Sequence, residues 1–498
     1  MLRCGRRQIF TAAAAIACAL ALFILLVYIE LLPPPTKWAP STHPFILSVF
    51  SPSDSQAMDD GDQPISKYET LSNDTFMIFS VYWDRRPRNS TPELMILAVS
   101  RCRSKTSEQP YAVFKDSTGQ VSYVMQLSGL HMENDEDLIG CPPNYGCYFG
   151  PRQIFNPVSS ILAAQLRESD DADRHAEVTL YAAEGRVVTV RPTWSAAKYD
   201  DTLAVCVPPL YWYIVPSKSP ISTRYHDWRR ILIFMAIWRA QGASHFYFYL
   251  NSCTKDVHKL LKYYEKQGYA TIISYPDLPL SEDLDPNWTT YRLAHVLAIN
   301  DCALRTKSRW AAHVDIDEVI LMKNMSVRII DWLKEEPDDV AGWSFYHHDL
   351  FFSERFMEEL LNSDAKINPL DLEEALVMPG NFHINNLVLQ YYRTDRRPPK
   401  VNMASAWYGH FRWNLNRTET LLRDDPVLPM MTRDRANEIS KHIEQTRRDV
   451  FEKHLPVYNG WWAQKIACMV PMRTCTEKMM PLADWHFERT TDQVYTVL

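Results

Sequence analysis

Trp310-Ala-Ala-His-Val-Asp315-Ile-Asp317-Glu318-Val-Ile-Leu321 is an apolar run broken by three carboxylates. A buried strand that delivers acids at its carboxyl end predicts a parallel sheet with its ligand site at the strand tip, where open α/β sheets place their ligands. If the strand continues through Ile316, Asp315 and Asp317 lie on one side and both can meet one hard divalent cation such as Mn²⁺ or Mg²⁺. Glu318 then faces the other way. Three acids after a strand also describe a solvated loop or an N-capping pair, so the surroundings of the motif decide its meaning.

Upstream of the motif the pattern alternates between strand and helix. Ala204–Val207 and Trp212–Val215 read as short strands. Trp228 to Gln241 carries Ile231, Met235 and Trp238 at helical spacing and stops at Gly242. His245–Leu250 reads as a strand, Lys255–Gln267 as a helix closed by Gly268, and Ala270–Tyr275 as another strand. A helix over Tyr291–Arg305 then feeds the acid strand. Such βαβ spacing predicts a Rossmann-like, mainly parallel sheet with helices on both faces. It sets Asn251, Asp277 and Asp315/Asp317 after the carboxyl ends of successive strands, where they can line one crevice. Tyr291 and His295 sit one turn apart on the expected helix, able to touch a nucleotide or simply to pack. There is no GxGxxG and no GxxxxGK[ST], so a diphosphate would have to be held chiefly through a metal ion.

Trp228-Arg-Arg-Ile-Leu-Ile-Phe-Met-Ala-Ile-Trp238, Gln241-Gly-Ala-Ser-His-Phe-Tyr-Phe-Tyr249, Leu260-Leu-Lys-Tyr-Tyr-Glu265, Tyr291-Arg-Leu-Ala-His295, Asn300-Asp-Cys302 and Asp315-Ile-Asp-Glu318 follow in order. Together they resemble glycosyltransferase family 92. The resemblance implies a GT-A fold, a UDP-sugar donor with galactose the best-supported sugar, Mn²⁺ dependence, inversion at the transferred sugar, and a type II Golgi protein acting on a glycan or glycoprotein acceptor. GT-A enzymes often add a late histidine to the metal, a role for which His410 is the candidate. Inversion needs a carboxylate base for the acceptor hydroxyl, and Asp349 and Glu354 lie downstream of the metal motif. A non-catalytic lumenal carbohydrate-binding protein is the alternative on the same scaffold.

The rest of the chain frames this reading. At 498 residues with a net charge of -7 it has room for several domains and no global basic field, which argues against a nucleic-acid partner. A homodimer is compatible with the composition. Residues 1–8, with Arg3, Arg6 and Arg7, read as a cytosolic tail and 9–32 as a signal anchor, since a bilayer needs roughly 20 apolar residues. A cleaved signal peptide is the rival reading. Residues 33–64, rich in Pro, Ser and Asp, read as a stem, 65–203 as a β-sandwich-like accessory domain of short alternating strands, and 204–498 as the GT-A-like domain. Sequons stand at Asn73, Asn89, Asn287, Asn324 and Asn416, and eight cysteines follow the anchor. Cys141/Cys147 and Cys468/Cys475 are the expected local disulfides, with Cys302 the cysteine most readily left unpaired.

Overall fold

The three inner strands of the parallel sheet are buried on both faces along most of their length, and their side chains divide with period two between two separate cores. In the computed structural model β10 (Asp200–Leu210), β11 (Ala243–Leu250) and β14 (Ser308–His313) send Leu203, Val205, Val207, Phe246, Phe248, Trp310 and Ala312 to one core. Ala204, Cys206, Tyr247, Tyr249 and Ala311 go to the other. This explains why these strands read as continuous apolar runs. The structure describes residues 76–84, 93–101, 111–115, 121–126, 129–130, 149–157, 177–181, 187–196, 198–211, 228–279, 286–337, 340, 342–345, 347–351, 354–362, 365–379, 386–390, 406–411, 427–452, 485–487 and 496–497. All of them belong to one compact unit that begins at Pro64.

The sheet runs β13-β11-β10-β14-β19-β16, with β13 at Ala270–Ser274, β16 at Gly342–Phe345 and β19 at Asn386–Gln390. The first four strands are parallel, and β19 is antiparallel to both of its neighbours. The chain builds outward from β10 through β11 to β13, then returns across β10 to form β14. A topological switch point therefore lies between β10 and β14, the place where open α/β sheets put their ligand crevice.

The first core packs helices α1 (Trp228–Ala240), α2 (Lys255–Lys266), α4 (Ile329–Glu335) and α5 (Arg433–Phe451) on one face of the sheet. In α1 every residue except Arg229 and Arg239 is buried, because α5 covers its outer side, with the Trp228 and Phe451 rings 4.8 Å apart. Gly242 ends α1 at φ +93°, where a Cβ would come within 2.1 Å of Ile330. Only glycine fits both that backbone and that contact. On the opposite face lies α3 (His295–Arg305), tied to β10 by a Cys206–Cys302 disulfide. Cys302 is thus bonded rather than free: its partner lies 96 residues away, so no local spacing announces it. Cys253 is buried, and Cys141, Cys147, Cys468 and Cys475 lie outside the described residues.

The β-rich part holds two sheets, antiparallel except where β9 runs parallel to β1 in the first. One joins β1 (Met77–Asp84), β2 (Glu93–Arg101), β5 (Gly129–Leu130), β6 (Phe149–Pro157), β9 (Thr193–Trp194) and β23 (Thr496–Val497). The other is β4-β3-β7-β8, from Tyr111–Lys115 (β3), Val121–Gln126 (β4), Val178–Tyr181 (β7) and Val187–Val190 (β8). Ile78, Trp83, Leu94 and Ile96 meet Ala112, Val178 and Leu180 between the two sheets. Met77, Tyr82, Met95, Leu97 and Val99, on the reverse side of β1 and β2, pack on α3 instead. Strand β6 has no counterpart in the expected strands, since Gly150, Pro151 and Pro157 interrupt its pattern.

After β14 the chain enters another sheet, ordered β15-β20-β17-β18-β21: β15 (Glu318–Met322), β17 (His347–Phe351), β18 (Glu374–Pro379), β20 (Ala406–Phe411) and β21 (Val427–Pro429). The expected strand Trp212–Val215 and the apolar segment 9–32 lie outside the described residues. No described helix is long and apolar enough to cross a membrane.

Candidate metal and diphosphate site

The three acids sit where the chain passes from one sheet to the next. Strand β14 ends at His313, and Val314 to Asp317 form an irregular turn before β15 begins at Glu318. Strand geometry therefore does not carry through Ile316, and the expected alternation of faces is lost. The turn closes on itself twice: the Glu318 amide donates to the Asp315 carbonyl at 3.0 Å, and the Asp315 amide donates to Glu318 Oε2 at 2.6 Å. That second bond draws the Glu318 carboxylate back toward the aspartates instead of away from them. The ligand oxygens of Asp315, Asp317 and Glu318 all lie within 4.8 Å of one another. Asp317 and Glu318 are buried and Asp315 is half-buried, so the cluster is approachable from the Asp315 side.

Helix α1 fixes the turn from below. Arg230 Nη1 lies 3.3 Å from Asp317 Oδ2, both groups being buried, and Trp238 Nε1 donates to the Glu318 carbonyl at 2.9 Å. Arg230 had no role in the sequence reading, although an arginine inside the apolar run 228–238 is itself a signal, because a buried charge needs a partner. His313, at the end of β14, is held by burial at about pKa 4 and so adds no charge at neutral pH. An all-oxygen set of three carboxylates suits a hard divalent cation better than a soft metal.

Asn251 and Asp277 come together at the tips of β11 and β13. Asn251 Nδ2 donates to Asp277 Oδ1 at 3.1 Å, and Ser252 Oγ donates to Asn251 Oδ1 at 3.1 Å. Strand β10 separates β11 from β14, so this pair and the acid turn are about 10 Å apart by two interstrand spacings. Both lie at the carboxyl-terminal edge of the parallel sheet.

Tyr291 and His295 do not share a helical face. Residues 292–294 adopt left-handed backbone, with φ of 46°, 51° and 53°, so α3 starts only at His295. Nothing in Arg-Leu-Ala announces that conformation, which L-residues with side chains seldom take. Burial and the neighbouring Arg292 lower His295 to about pKa 3, leaving it neutral.

The remaining candidates are placed by backbone register. His410 of β20 pairs with Glu318 of β15 on one side and with Asp349 of β17 on the other, so the three form one row across adjacent strands that starts at the acid turn. Glu354 begins the helix Glu354–Leu361 after β17.

Comparison with known proteins adds a family. Residues 201–369 match the sequence model of glycosyltransferase family 92, a span that includes β10, the acid turn, Asp349 and Glu354 but not His410. A glycosyltransferase family 92 protein of Caenorhabditis elegans is 30% identical over 101 residues, covering 19% of this chain and 20% of the relative. The chain thus spans about one fifth of that relative's length. Among solved structures, amylomaltase from Corynebacterium glutamicum aligns with 34% of this chain and 21% of its own at 11% identity, with a TM-score of 0.14, too low to bear on the fold.

Proposed function

We propose, for a chain that carries a glycosyltransferase family 92 domain over residues 201–369, a metal-dependent, inverting transfer of a hexose from a UDP-sugar to a glycan or glycoprotein acceptor. Galactose is the sugar we assign, and the catalytic part is read as GT-A in fold. The observation that carries the reading is the acid turn: three carboxylates gathered within 4.8 Å at the switch point of a parallel sheet.

In this reading Asp315, Asp317 and Glu318 hold Mn²⁺ or Mg²⁺, with His410 a further ligand from the adjoining strand. Bound there, the cation supplies neutralisation of charge on the leaving diphosphate. The chain's own residues do the rest. The Asn251–Asp277 pair offers hydrogen bonds to the nucleoside end of the donor, across the crevice from the acids. Asp349 takes the proton of the acceptor hydroxyl. It stands two strands from Glu318, about 10 Å in backbone spacing, which leaves room for a sugar between base and diphosphate. Glu354 is the second candidate base. Burial of Asp317 and Glu318 places their charge in a medium less polarisable than water, where positioned groups act more strongly on a transition state.

The reading extends to a type II protein with its body in the Golgi lumen. Arg3, Arg6 and Arg7 ahead of the apolar segment 9–32 support it, as does a disulfide inside the described core, since such bonds persist in oxidising compartments. A mature amino terminus mapped beyond residue 20 would remove the anchor.

The deciding experiment incubates the purified full-length chain with a panel of UDP-sugars in Mn²⁺ or in EDTA. We expect UDP release with UDP-galactose foremost, abolished by EDTA. Undiminished turnover in EDTA would reject metal dependence, and no turnover of any UDP-sugar would favour a carbohydrate-binding protein.

A further inference from the structure

Building on the cation reading of the acid turn, we propose that Arg230 is a resident counter-charge that holds Asp317 when no divalent ion is bound and limits how tightly the ion binds.

The argument begins with where Arg230 sits. Its helix is buried along nearly its whole length, and the side chain itself is 6% exposed, so the guanidinium cannot lie out in solvent. Its Nη1 is 3.3 Å from Asp317 Oδ2. The same helix is fastened to the turn by Trp238 through the Glu318 carbonyl and is covered by α5 through the Trp228–Phe451 contact. The helix that carries the guanidinium is therefore held near both of its ends.

Charge then dictates the consequence. Three carboxylates within 4.8 Å repel one another, and among the described residues the Arg230 guanidinium offsets one charge of the three. A divalent ion bound at the cluster would have to share Asp317 with Arg230. Two cations on one carboxylate repel, so Arg230 stabilises the ion-free turn and weakens the ion-bound one. This makes it a positioning residue with a distinctive signature: its neutralisation should lower metal-free stability and raise metal affinity together. A purely structural ion pair predicts only the first of these.

The test compares the full-length wild-type chain with Arg230→Gln, reading Mn²⁺ affinity from the loss of the free-ion EPR signal and the thermal midpoint with and without Mn²⁺. We expect Arg230→Gln to bind Mn²⁺ at least about tenfold more tightly, the order that removing one nearby charge allows. Its metal-free midpoint should fall and its Mn²⁺-induced rise should exceed that of the wild type. Arg230→Lys, which keeps the charge, should stay close to wild-type affinity. Equal or weaker binding by Arg230→Gln would overturn the proposal. Should that variant fail to fold without metal, recovery of the fold on adding Mn²⁺ supports the proposal, and no recovery at saturating Mn²⁺ counts against it. A wild-type chain that takes up no Mn²⁺ and shows no midpoint shift overturns the cation reading itself, whereas an error about Arg230 alone leaves wild-type uptake intact.

Discussion

Two buried carboxylates in this molecule, Asp301 and Asp317, have opposite surroundings. Asp301, on α3, is 0% exposed and accepts from Tyr82 Oη at 2.6 Å, Tyr249 Oη at 2.7 Å, and Arg305 Nε and Nη2 at 2.9 and 3.2 Å. Its four donors come from three places: Tyr82 from the antiparallel β-rich part, Tyr249 from the parallel sheet, and Arg305 from its own helix. Asp317 is nearly as buried, but its neighbours include two further carboxylates as well as Arg230. Among the described residues, donors outnumber oxygens at the first node, and acids outnumber the guanidinium at the second. Burial of a charge is therefore no mark of function here. The balance of donors to acceptors separates the two, since a satisfied node rigidifies while gathered acids repel one another until positive charge joins them.

Replacing each acid by its amide is the sharpest way to break this contrast. Asp301→Asn should cost about 3 kcal/mol of stability, at the low end for a broken buried pair because Arg305 is 36% exposed and can regain water. Its effect should register in denaturant unfolding and leave Mn²⁺ uptake unchanged. Asp317→Asn should do the reverse, lowering sugar transfer about 10²- to 10³-fold. Its unfolding midpoint should shift little, because relief of acid repulsion offsets the loss to Arg230. Glu318→Gln should also impair transfer, since its carboxylate belongs to the cluster. A stability loss at Asp317 matching that at Asp301 would erase the distinction.

Tyr82→Phe sharpens the comparison from the structural side. It deletes one donor to a buried carboxylate and should cost about 1.5–3 kcal/mol in unfolding free energy, the usual worth of a hydrogen bond to a charged group.

The smallest expected effect is alkaline. Burial first, and then the charge of Asp301, raise both Tyr82 and Tyr249 above the ordinary tyrosine value of 10.0. The folded chain therefore keeps protons that the unfolded chain releases above pH 10. Their contribution to stability is whole below pH 10 and is lost as pH rises beyond it. Thermal midpoints measured between about pH 9 and 11.5 should fall above pH 10, and less steeply in Tyr82→Phe. A midpoint flat across that range would contradict the assignment.

Much of the parallel sheet was legible because strands buried on both faces betray themselves as apolar runs. Helix α1 and strands β11 and β13 fall within two residues of their expected ends, with Gly242 and Gly268 marking the stops. Asn251 and Asp277 were placed at strand tips, and they meet there. What escaped depends on long range or on backbone that residue type does not encode. The Cys206–Cys302 bond and the Arg230–Asp317 pair join distant segments, the latter 87 residues apart. The left-handed residues 292–294 contain no glycine to signal them. Glu318 joined the acids because the turn from Val314 to Asp317 reset the alternation on which its opposite facing was inferred. Asn287, a sequon by pattern, is a buried staple whose amide accepts from the Leu278 amide and donates to the Leu278 carbonyl, while Asn324 is an exposed sequon.

The Cys206–Cys302 bond makes a covalent ring of the segment between its ends, and that ring contains Arg230, Asn251 and Asp277 but stops short of Asp315. A protease that cuts any single peptide bond inside the ring leaves one molecule with two new chain ends, its two pieces still joined through the bond between Cys206 and Cys302. This bond thus secures the segment carrying Arg230, Asn251 and Asp277 against a single nick, while the acid turn lies outside the segment it closes.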